Sequence, residues 1–284
     1  MGPRTPHRAR PLMRARAELA VALTAGSGGR GRSRVARLRS DGPLLLRPAI
    51  ATGPEPLRRW SLAGQNTARI SRAAGAGGPL GGDDLRFHVE VGADAALVLR
   101  DVSATLALPG PHGEPSRIRT TVRVGRNATL VWLPEPVIAA RGCDHHSSTR
   151  VVLEPGARLL LREELLLGRY GEHPGTVRQR LRVCQGDRPL YDQELAVGPG
   201  TPGWQGPAVT GGRRALGSLL VVDPRWSAEH DGPPAVTARP DTAVLPLSGP
   251  AVLVTALAED AIGLRRRLDD GAAELEQTAA APAR

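Results

Sequence analysis

The feature that most constrains the fold is an internal repeat in the middle of the chain. Each copy has the pattern of a strand, a tight turn with Gly, Asp or Asn, and a second strand, and the copies start 33 and 29 residues apart. The copies are Val91–Leu99, Val124–Trp132 and Leu153–Leu161. A single hairpin cannot bury its apolar face, so successive copies must stack on one another. The sequence therefore predicts a mostly β fold of stacked β-hairpins, in a coiled, β-helix-like or sandwich-like sheet arrangement.

The two ends of the chain complete this prediction. A few helices are expected, including one near the C-terminus that Asp260 can cap over Ala261–Leu268. We expect a disordered basic arm over residues 1–13 and a disordered tail over residues 277–284. Residues 14–276 then form a single β-rich domain, with the hairpin-repeat core over residues 83–196.

The positive charge of the chain is carried by arginine alone, 38 residues in all. This excludes mechanisms that need a lysine, such as a Schiff base. Residues 1–72 hold 15 Arg and 3 acidic residues, for a net +12, and residues 73–284 hold 23 Arg and 25 acidic residues, for −2. A basic arm can bind nucleic acid or an acidic protein. Aromatic residues make up only 2% of the chain, which argues against a nucleic-acid partner that needs base stacking.

The cysteine count and hydropathy bear on the compartment. Two cysteines, Cys143 and Cys184, do not make a disulfide framework, and we expect a reducing, cytoplasmic location. No apolar run approaches the roughly 20 residues of a membrane span, so no membrane partner is expected.

Cys143-Asp144-His145-His146 is the conspicuous metal candidate, because thiolate and imidazole suit Ni, Zn or Cu. These ligands are consecutive, however, whereas a structural zinc site uses separated pairs, and adjacent strand side chains point to opposite faces. The pattern favours an ordinary polar loop. The alternative is a weak or transient metal contact through Cys143, His145 and His146.

Three acidic residues stand out in apolar surroundings. Asp83 follows a Gly-rich loop and is either a strand-start aspartate or a carboxylate that lines a polar passage. Glu163 and Glu164 interrupt the apolar stretch Leu159–Leu167, and strand alternation puts them on opposite faces. Glu163 is either paired with Arg169 or marks an internal hydrated feature, because a buried carboxylate needs a partner or a water path.

Signals of catalysis are missing from the sequence. It contains neither a Gly-x-Ser-x-Gly elbow nor a phosphate loop. Arg265–Arg267 is most simply the solvated face of the last helix. We therefore expect that the chain is not an enzyme.

The order of four short motifs resembles the urease accessory protein D family, called UreH in some organisms. The motifs are Gly81-Gly82-Asp83, Trp132-Leu133-Pro134-Glu135, Leu165-Leu166-Leu167-Gly168-Arg169 and Arg188-Pro189-Leu190-Tyr191. The resemblance implies a coiled, β-helix-like fold and a non-catalytic chaperone. Such a protein bridges apo-urease and a complex of accessory protein F with the GTPase accessory protein G. The resemblance also implies an internal tunnel that carries Ni²⁺ toward the urease site.

The resemblance also implies site residues. Asp83 matches the family's aspartate after Gly-Gly, Glu163 falls where the family often has Asp, and Ser103 lies where a tunnel serine is expected. With Glu164 beside Glu163, these are the candidate residues of a nickel passage. Ni²⁺ would be in transit, with no tightly bound cofactor. The alternative function is an independent nickel- or zinc-binding or storage protein that uses Cys143, His145 and His146.

Overall fold

The computed structural model describes residues 12–25, 31–51, 67–227 and 233–278. Within these ranges the chain forms eighteen strands, a short 3-10 helix at Pro224–Trp226 and one α-helix. The elements are β1 (Arg14–Thr24), β2 (Arg32–Arg39), β3 (Leu44–Pro48), β4 (Ala68–Ala74), β5 (Asp84–Val91), β6 (Ala96–Asp101), β7 (Thr105–Ala107), β8 (Ser116–Val124), β9 (Thr129–Leu133), β10 (Val137–Ala139), β11 (Asp144–Leu153), β12 (Arg158–Leu166), β13 (Thr176–Gln185), β14 (Arg188–Val197), β15 (Ala215–Val222), β16 (Thr237–Arg239), β17 (Thr242–Pro246), β18 (Ala251–Ala258) and α1 (Ala261–Thr278). The predicted arm, apart from residues 12 and 13, and positions 279–284 of the predicted tail lie outside the described residues.

The strands form two sheets that face each other. The seven-stranded sheet has the order β14-β13-β11-β8-β5-β1-β2, and the eleven-stranded sheet has the order β16-β17-β18-β15-β12-β9-β6-β4-β3. From β4 to β13 the chain passes back and forth between the two sheets, and each strand pairs in parallel with strands one repeat away. The predicted mostly β, coiled architecture is confirmed.

The pairing inside each repeat differs from a hairpin. The register aligns Val91 with Val124 and Val124 with Leu153 in one sheet, as the sequence repeat requires. The two strands of a single copy, such as β5 and β6, lie in different sheets and do not pair with each other. The turn between them is therefore an arch that crosses from one sheet to the other. The sequence pattern also fitted a hairpin, because an arch and a hairpin have the same alternation of apolar residues.

The arches are stabilised by residues that adopt left-handed backbone conformations. Asp94, Asn127 and Gly156 occupy the equivalent turn position in the three copies, with φ values of 59°, 55° and 74°. Asn, Asp and Gly tolerate this region better than other residues do. Asn127 Nδ2 also donates to Asp94 Oδ1 at 3.1 Å, which ties one arch to the next.

The core lies between the inner faces of the two sheets. Side chains of β5 alternate between buried and more exposed positions, with Leu85, Phe87, Val89 and Val91 turned inward. Phe87 meets Trp132 of the opposite sheet edge to face, with ring centroids 6.5 Å apart. The inner apolar layer thus joins the sheets across the coil.

Helix α1 covers the outer face of the eleven-stranded sheet. Asp260 Oδ1 accepts the Gly263 N–H at 2.7 Å, so the predicted cap is confirmed, but the helix runs beyond Leu268 to Thr278. It packs through Leu264, Leu268 and Leu275. A Cβ at Gly271 would lie 2.5 Å from Val254 Cγ1, so this glycine lets the helix continue in close contact with β18. None of the helices in the described ranges is long and apolar enough to cross a membrane.

Both sheets change from parallel to antiparallel pairing at their borders. In the seven-stranded sheet, β2 and β14 pair antiparallel with β1 and β13. In the eleven-stranded sheet, β3 pairs antiparallel with β4, and β15, β18, β17 and β16 form an antiparallel group beyond β12. The parallel coil therefore occupies the centre of each sheet.

Candidate functional site

A tight turn before β5 places Asp83 in the interior. The Asp83 N–H donates to Leu80 O and the Leu80 N–H donates to Asp83 Oδ2, both at 2.9 Å. The residue is 1% exposed, and its Oδ1 has no hydrogen-bond partner among the described residues. A Cβ at Gly81 would lie 2.5 Å from Glu114 O and Gly110 N, so only glycine lets these loops close around the aspartate.

Asp83 and Ser103 line the same cavity, of about 50 Å³, together with Asp101 and Arg72. A cavity of this size with several polar groups has room for water. Arg72 Nε donates to Asp101 Oδ1 at 2.9 Å, and a second contact makes the pair bidentate. Burial raises the pKa of Asp101, and Arg72 opposes that rise. We call this space the Asp83 cavity.

Glu163 lines a second cavity, of about 260 Å³, between β12 and the inner faces of β13 and β14. The polar side chains around it are Gln179, Gln193, Ser218 and Thr255. Burial raises the pKa of Glu163 to about 7, and a hydrogen bond from Gln179 offsets part of the rise. Burial, and then the charge of Glu163, raise the pKa of Tyr191 to about 12. We call this space the Glu163 cavity.

Each of the two cavities has a carboxylate at the same level of the eleven-stranded sheet. Leu99, Trp132 and Leu161 are paired in register, and Asp101 and Glu163 each follow two residues later. Strand alternation therefore places both carboxylates on the inner face, two strands or about 10 Å apart. Ser218 and Thr255 continue the level, because Glu163 pairs with Ser218 and Ser218 pairs with Thr255.

The seven-stranded sheet also carries buried polar groups on its inner face, at positions that do not line either cavity. His145 is fully buried, and its Nδ1 lies 2.9 Å from Ser116 Oγ. Burial lowers the pKa of His145 to about 4, so the ring is neutral at pH 7. Its Nε2, like Trp132 Nε1 and Asp83 Oδ1, has no hydrogen-bond partner among the described residues. Ordered water usually satisfies buried polar atoms of this kind.

The Cys-Asp-His-His segment does not converge on a metal. Cys143 Sγ faces Thr176 O at 3.8 Å, and burial raises the thiol pKa to about 11. His145 points inward, whereas His146 Nε2 lies 3.1 Å from Asp144 Oδ1 on the outer face. Within the described ranges, no group of three or more His, Cys, Asp and Glu side chains could hold a metal ion. Strand alternation separates Cys143, His145 and His146, so these three side chains do not form a converged metal site.

Glu163 and Glu164 have different surroundings. The alternative that paired Glu163 with Arg169 is wrong, because Arg169 Nε and Nη2 bind Glu172 at 2.9 and 2.7 Å. Glu164 borders the Glu163 cavity, but its carboxylate lies 2.6 Å from Arg265 Nε and 2.7 Å from Arg162 Nε. Both carboxylate oxygens of Glu164 are thus paired with arginine, whereas Glu163 faces the cavity with Gln179 beside it.

Comparison with known proteins decides the family. The family model for the UreD urease accessory protein matches residues 14–284. The chain is 44% identical to "Urease accessory protein UreD" of Frankia alni over 94% of each protein. It is 47% identical to "Urease accessory protein UreD 3" of Streptomyces griseus subsp. griseus, over 86% of this chain and 96% of that protein. The chain belongs to the UreD urease accessory protein family. The resemblance found in the sequence motifs is thereby confirmed.

Two features of this UreD-family site were missed in the sequence. Asp101 carries a visible signal, since it stands in the same place in its repeat as Glu163 does two strands away. Arg265 was interpreted as part of a solvated helix face, which is wrong. Its guanidinium contacts Glu164 and Glu135, which lie 101 and 130 residues earlier in the chain. Sequence spacing gives no sign of contacts at such separations.

Proposed function

We propose that this chain is a non-catalytic urease maturation scaffold that passes Ni²⁺ through its interior toward the urease metallocentre. In this role it bridges apo-urease to accessory protein F and the GTPase accessory protein G. The observation that carries the proposal is the polar level between the sheets, with the Asp83 cavity at one end and the Glu163 cavity at the other.

The polar groups along this level suit an ion that is bound weakly and then released. Ni²⁺ binds tightly where several imidazole and thiolate ligands converge. Here carboxylate, hydroxyl and amide oxygens are spread over two cavities, and His145 is a single buried imidazole. Asp83 Oδ1 and His145 Nε2 are two of the buried polar atoms that have no hydrogen-bond partner among the described residues. Such isolated ligands bind hydrated Ni²⁺ weakly and release it.

Protonation of Glu163 controls how strongly this side chain binds a cation. A carboxyl with a pKa of about 7 is partly protonated at neutral pH, and metal binding must displace that proton. Glu163 therefore binds a cation less strongly than an exposed glutamate with the same geometry. Glu164 is left out of the passage, because Arg162 and Arg265 already neutralise it.

We also propose a cytoplasmic location, where nickel is handed between accessory proteins. Both cysteines are free and buried, which suits a reducing compartment. The proposed partners, which are apo-urease and accessory proteins F and G, are those that the resemblance to the family implies.

The test is urease activation with Asp83→Asn in the full chain, together with the other accessory proteins and apo-urease. Asp83→Asn keeps the shape of the side chain and removes its charge. Asp187→Asn, in the exposed turn before β14, is the matched control. We expect the nickel content and activity of urease to fall several-fold with Asp83→Asn and to stay at the wild-type level with Asp187→Asn.

Co-purification with accessory protein F separates the two parts of the proposal. Retained co-purification with lost nickel transfer supports a passage at Asp83 in a working scaffold. Full nickel loading by Asp83→Asn would remove Asp83 from the passage. Failure of the wild-type chain to co-purify with accessory protein F would contradict the bridging role.

A further inference from the structure

The net charge of residues 73–284 conceals an uneven distribution of arginine in space. On the seven-stranded sheet, inward positions are mostly apolar, and outward positions are exposed or half-buried. Many of the outward positions of β1, β5, β8 and β13 are arginine. The edge strand β2 adds four more, at Arg32, Arg34, Arg37 and Arg39. The outer face of this sheet is therefore strongly basic.

Four of these arginines form a row in register across the sheet. Arg16 pairs with Arg86 and Arg86 pairs with Arg119, so three arginines are direct neighbours on β1, β5 and β8. Arg180 on β13 continues the row beyond Ser148 of β11. With strands about 4.8 Å apart, the row extends for about 19 Å. We call Arg16, Arg86, Arg119 and Arg180 the arginine row.

The arginine row works against the stability of the sheet. Like charges directly opposite one another on neighbouring strands are destabilising. Nearby carboxylates offset only part of this repulsion, because Asp84 serves two arginines, with Arg119 Nη2 at 2.6 Å and Arg86 Nη2 at 3.7 Å. Asp192 is likewise shared, between Arg180 and Arg182. Exposed ion pairs contribute little to stability, so the stability of the sheet does not explain adjacent arginines that share their counter-ions. A role in binding does.

The guanidinium groups remain available to a partner. The side chains of Arg86, Arg119 and Arg180 are 54%, 43% and 48% exposed. Helix α1 packs on the other sheet, against β15, β17 and β18, and covers none of the row. Each guanidinium has five N–H donors, more than one shared carboxylate can accept.

The shape and composition of this face select the partner. A broad sheet cannot enter the major groove, which admits a helix or a two-stranded ribbon. The outward positions of β1, β5, β8 and β13 carry no Phe, Tyr or Trp on which a base could stack. Arginine binds carboxylates in a bidentate manner, and carboxylates already lie between these arginines. We propose that the outer face of the seven-stranded sheet is a docking surface for an acidic protein surface.

The test is a titration of the full chain with poly-L-glutamate, a probe that presents carboxylates alone. Arg86→Ser/Arg180→Ser removes two members of the arginine row. Arg47→Ser/Arg266→Ser removes two exposed arginines from β3 and α1 and is the control of equal charge. We expect affinity to fall about tenfold for the first variant and less than about twofold for the control. Binding should also weaken as salt rises.

Three results would overturn the proposal. Equal weakening by both double variants would mean that only net charge matters. Tighter binding of a DNA duplex of equal charge, with the same loss on Arg86→Ser/Arg180→Ser, would make the surface a nucleic-acid site. A fall of more than about 5 °C in the melting temperature of that variant would show that the arginines hold the sheet together.

Discussion

Glu163 and Glu164 are consecutive in β12, yet their carboxylates lie in two separate environments. Glu163 faces the cavity between the sheets, with Gln179 beside it. Glu164 binds Arg265 and Arg162 under helix α1. Two identical side chains thus acquire different chemistry from the alternation of a strand. The first predictions test this difference.

Glu163→Gln should stabilise the fold at neutral and alkaline pH. The folded-state pKa of about 7 lies above the unfolded value of 4.5, so the wild type loses stability as pH rises from about 4.5 to about 7. The amide carries no proton to lose, and the variant should gain about 2–3 kcal/mol over the wild type at pH 8. Urea unfolding at pH 4 and pH 8 measures this. An equal difference at both pH values would contradict a raised pKa.

Arg265→Leu should destabilise the fold, because it leaves Glu164, whose side chain is fully buried, with Arg162 as its remaining close cation. We expect a loss of about 2 kcal/mol in the free energy of unfolding. Arg266→Leu, at the exposed neighbouring position, should change it by less than about 0.5 kcal/mol. Equal effects would mean that the Glu164 contacts contribute nothing to stability.

His145→Gln should make the protein less sensitive to acid. The folded-state pKa of about 4 lies below the unfolded value of 6.5, so the wild type loses stability as pH falls from about 6.5 to about 4. The loss amounts to about 3 kcal/mol at the acid end, and the variant should not show it. The unfolding free energies of wild type and His145→Gln, each measured at pH 7 and pH 4.5, show whether this loss occurs. His146→Gln, on the outer face, is the control. The same slope for His145→Gln and wild type would exclude a neutral buried imidazole.

Gly81→Ala should disrupt the turn that holds Asp83. The added methyl group would lie 2.5 Å from Glu114 O and Gly110 N, both backbone atoms that cannot move alone. We expect a loss of at least about 2 kcal/mol. Gly77→Ala, four residues earlier, meets nothing within 4 Å and is the control. Thermal melting of both variants checks this, and equal melting temperatures would show that the turn yields.

Part of the site follows from local patterns in the sequence. The alternation along Leu159–Leu167 was enough to put Glu163 inside, and the Gly-Gly-Asp motif was enough to single out Asp83. The repeat also aligned Leu97, Leu130 and Leu159, which the sheet stacks in register. The inward placement of both side chains and the register of the repeat are confirmed, because each depends on neighbours a few residues away or one repeat away.

Other features depend on contacts that no local pattern records. Hairpins and arches have the same alternation of apolar and polar side chains, so the repeat does not indicate which strands pair. Arg265 joins Glu135 across 130 residues of sequence, and helix α1 brings them together only after it docks on β15 and β18. The arginine row likewise arises from strands that are far apart in the chain.

The antiparallel borders of both sheets have a consequence for self-association. A parallel coil presents at each end the same strand edge that its own next turn would occupy, and copies could add there end to end into fibres. Among the described strands, β2, β3 and β14 occupy three of those ends with reversed direction, and the fourth end is extended by the antiparallel group β15, β18, β17 and β16. Strand β2 also carries four arginines along its exposed length. Another copy therefore meets a mismatched, charged edge, and the coil remains finite.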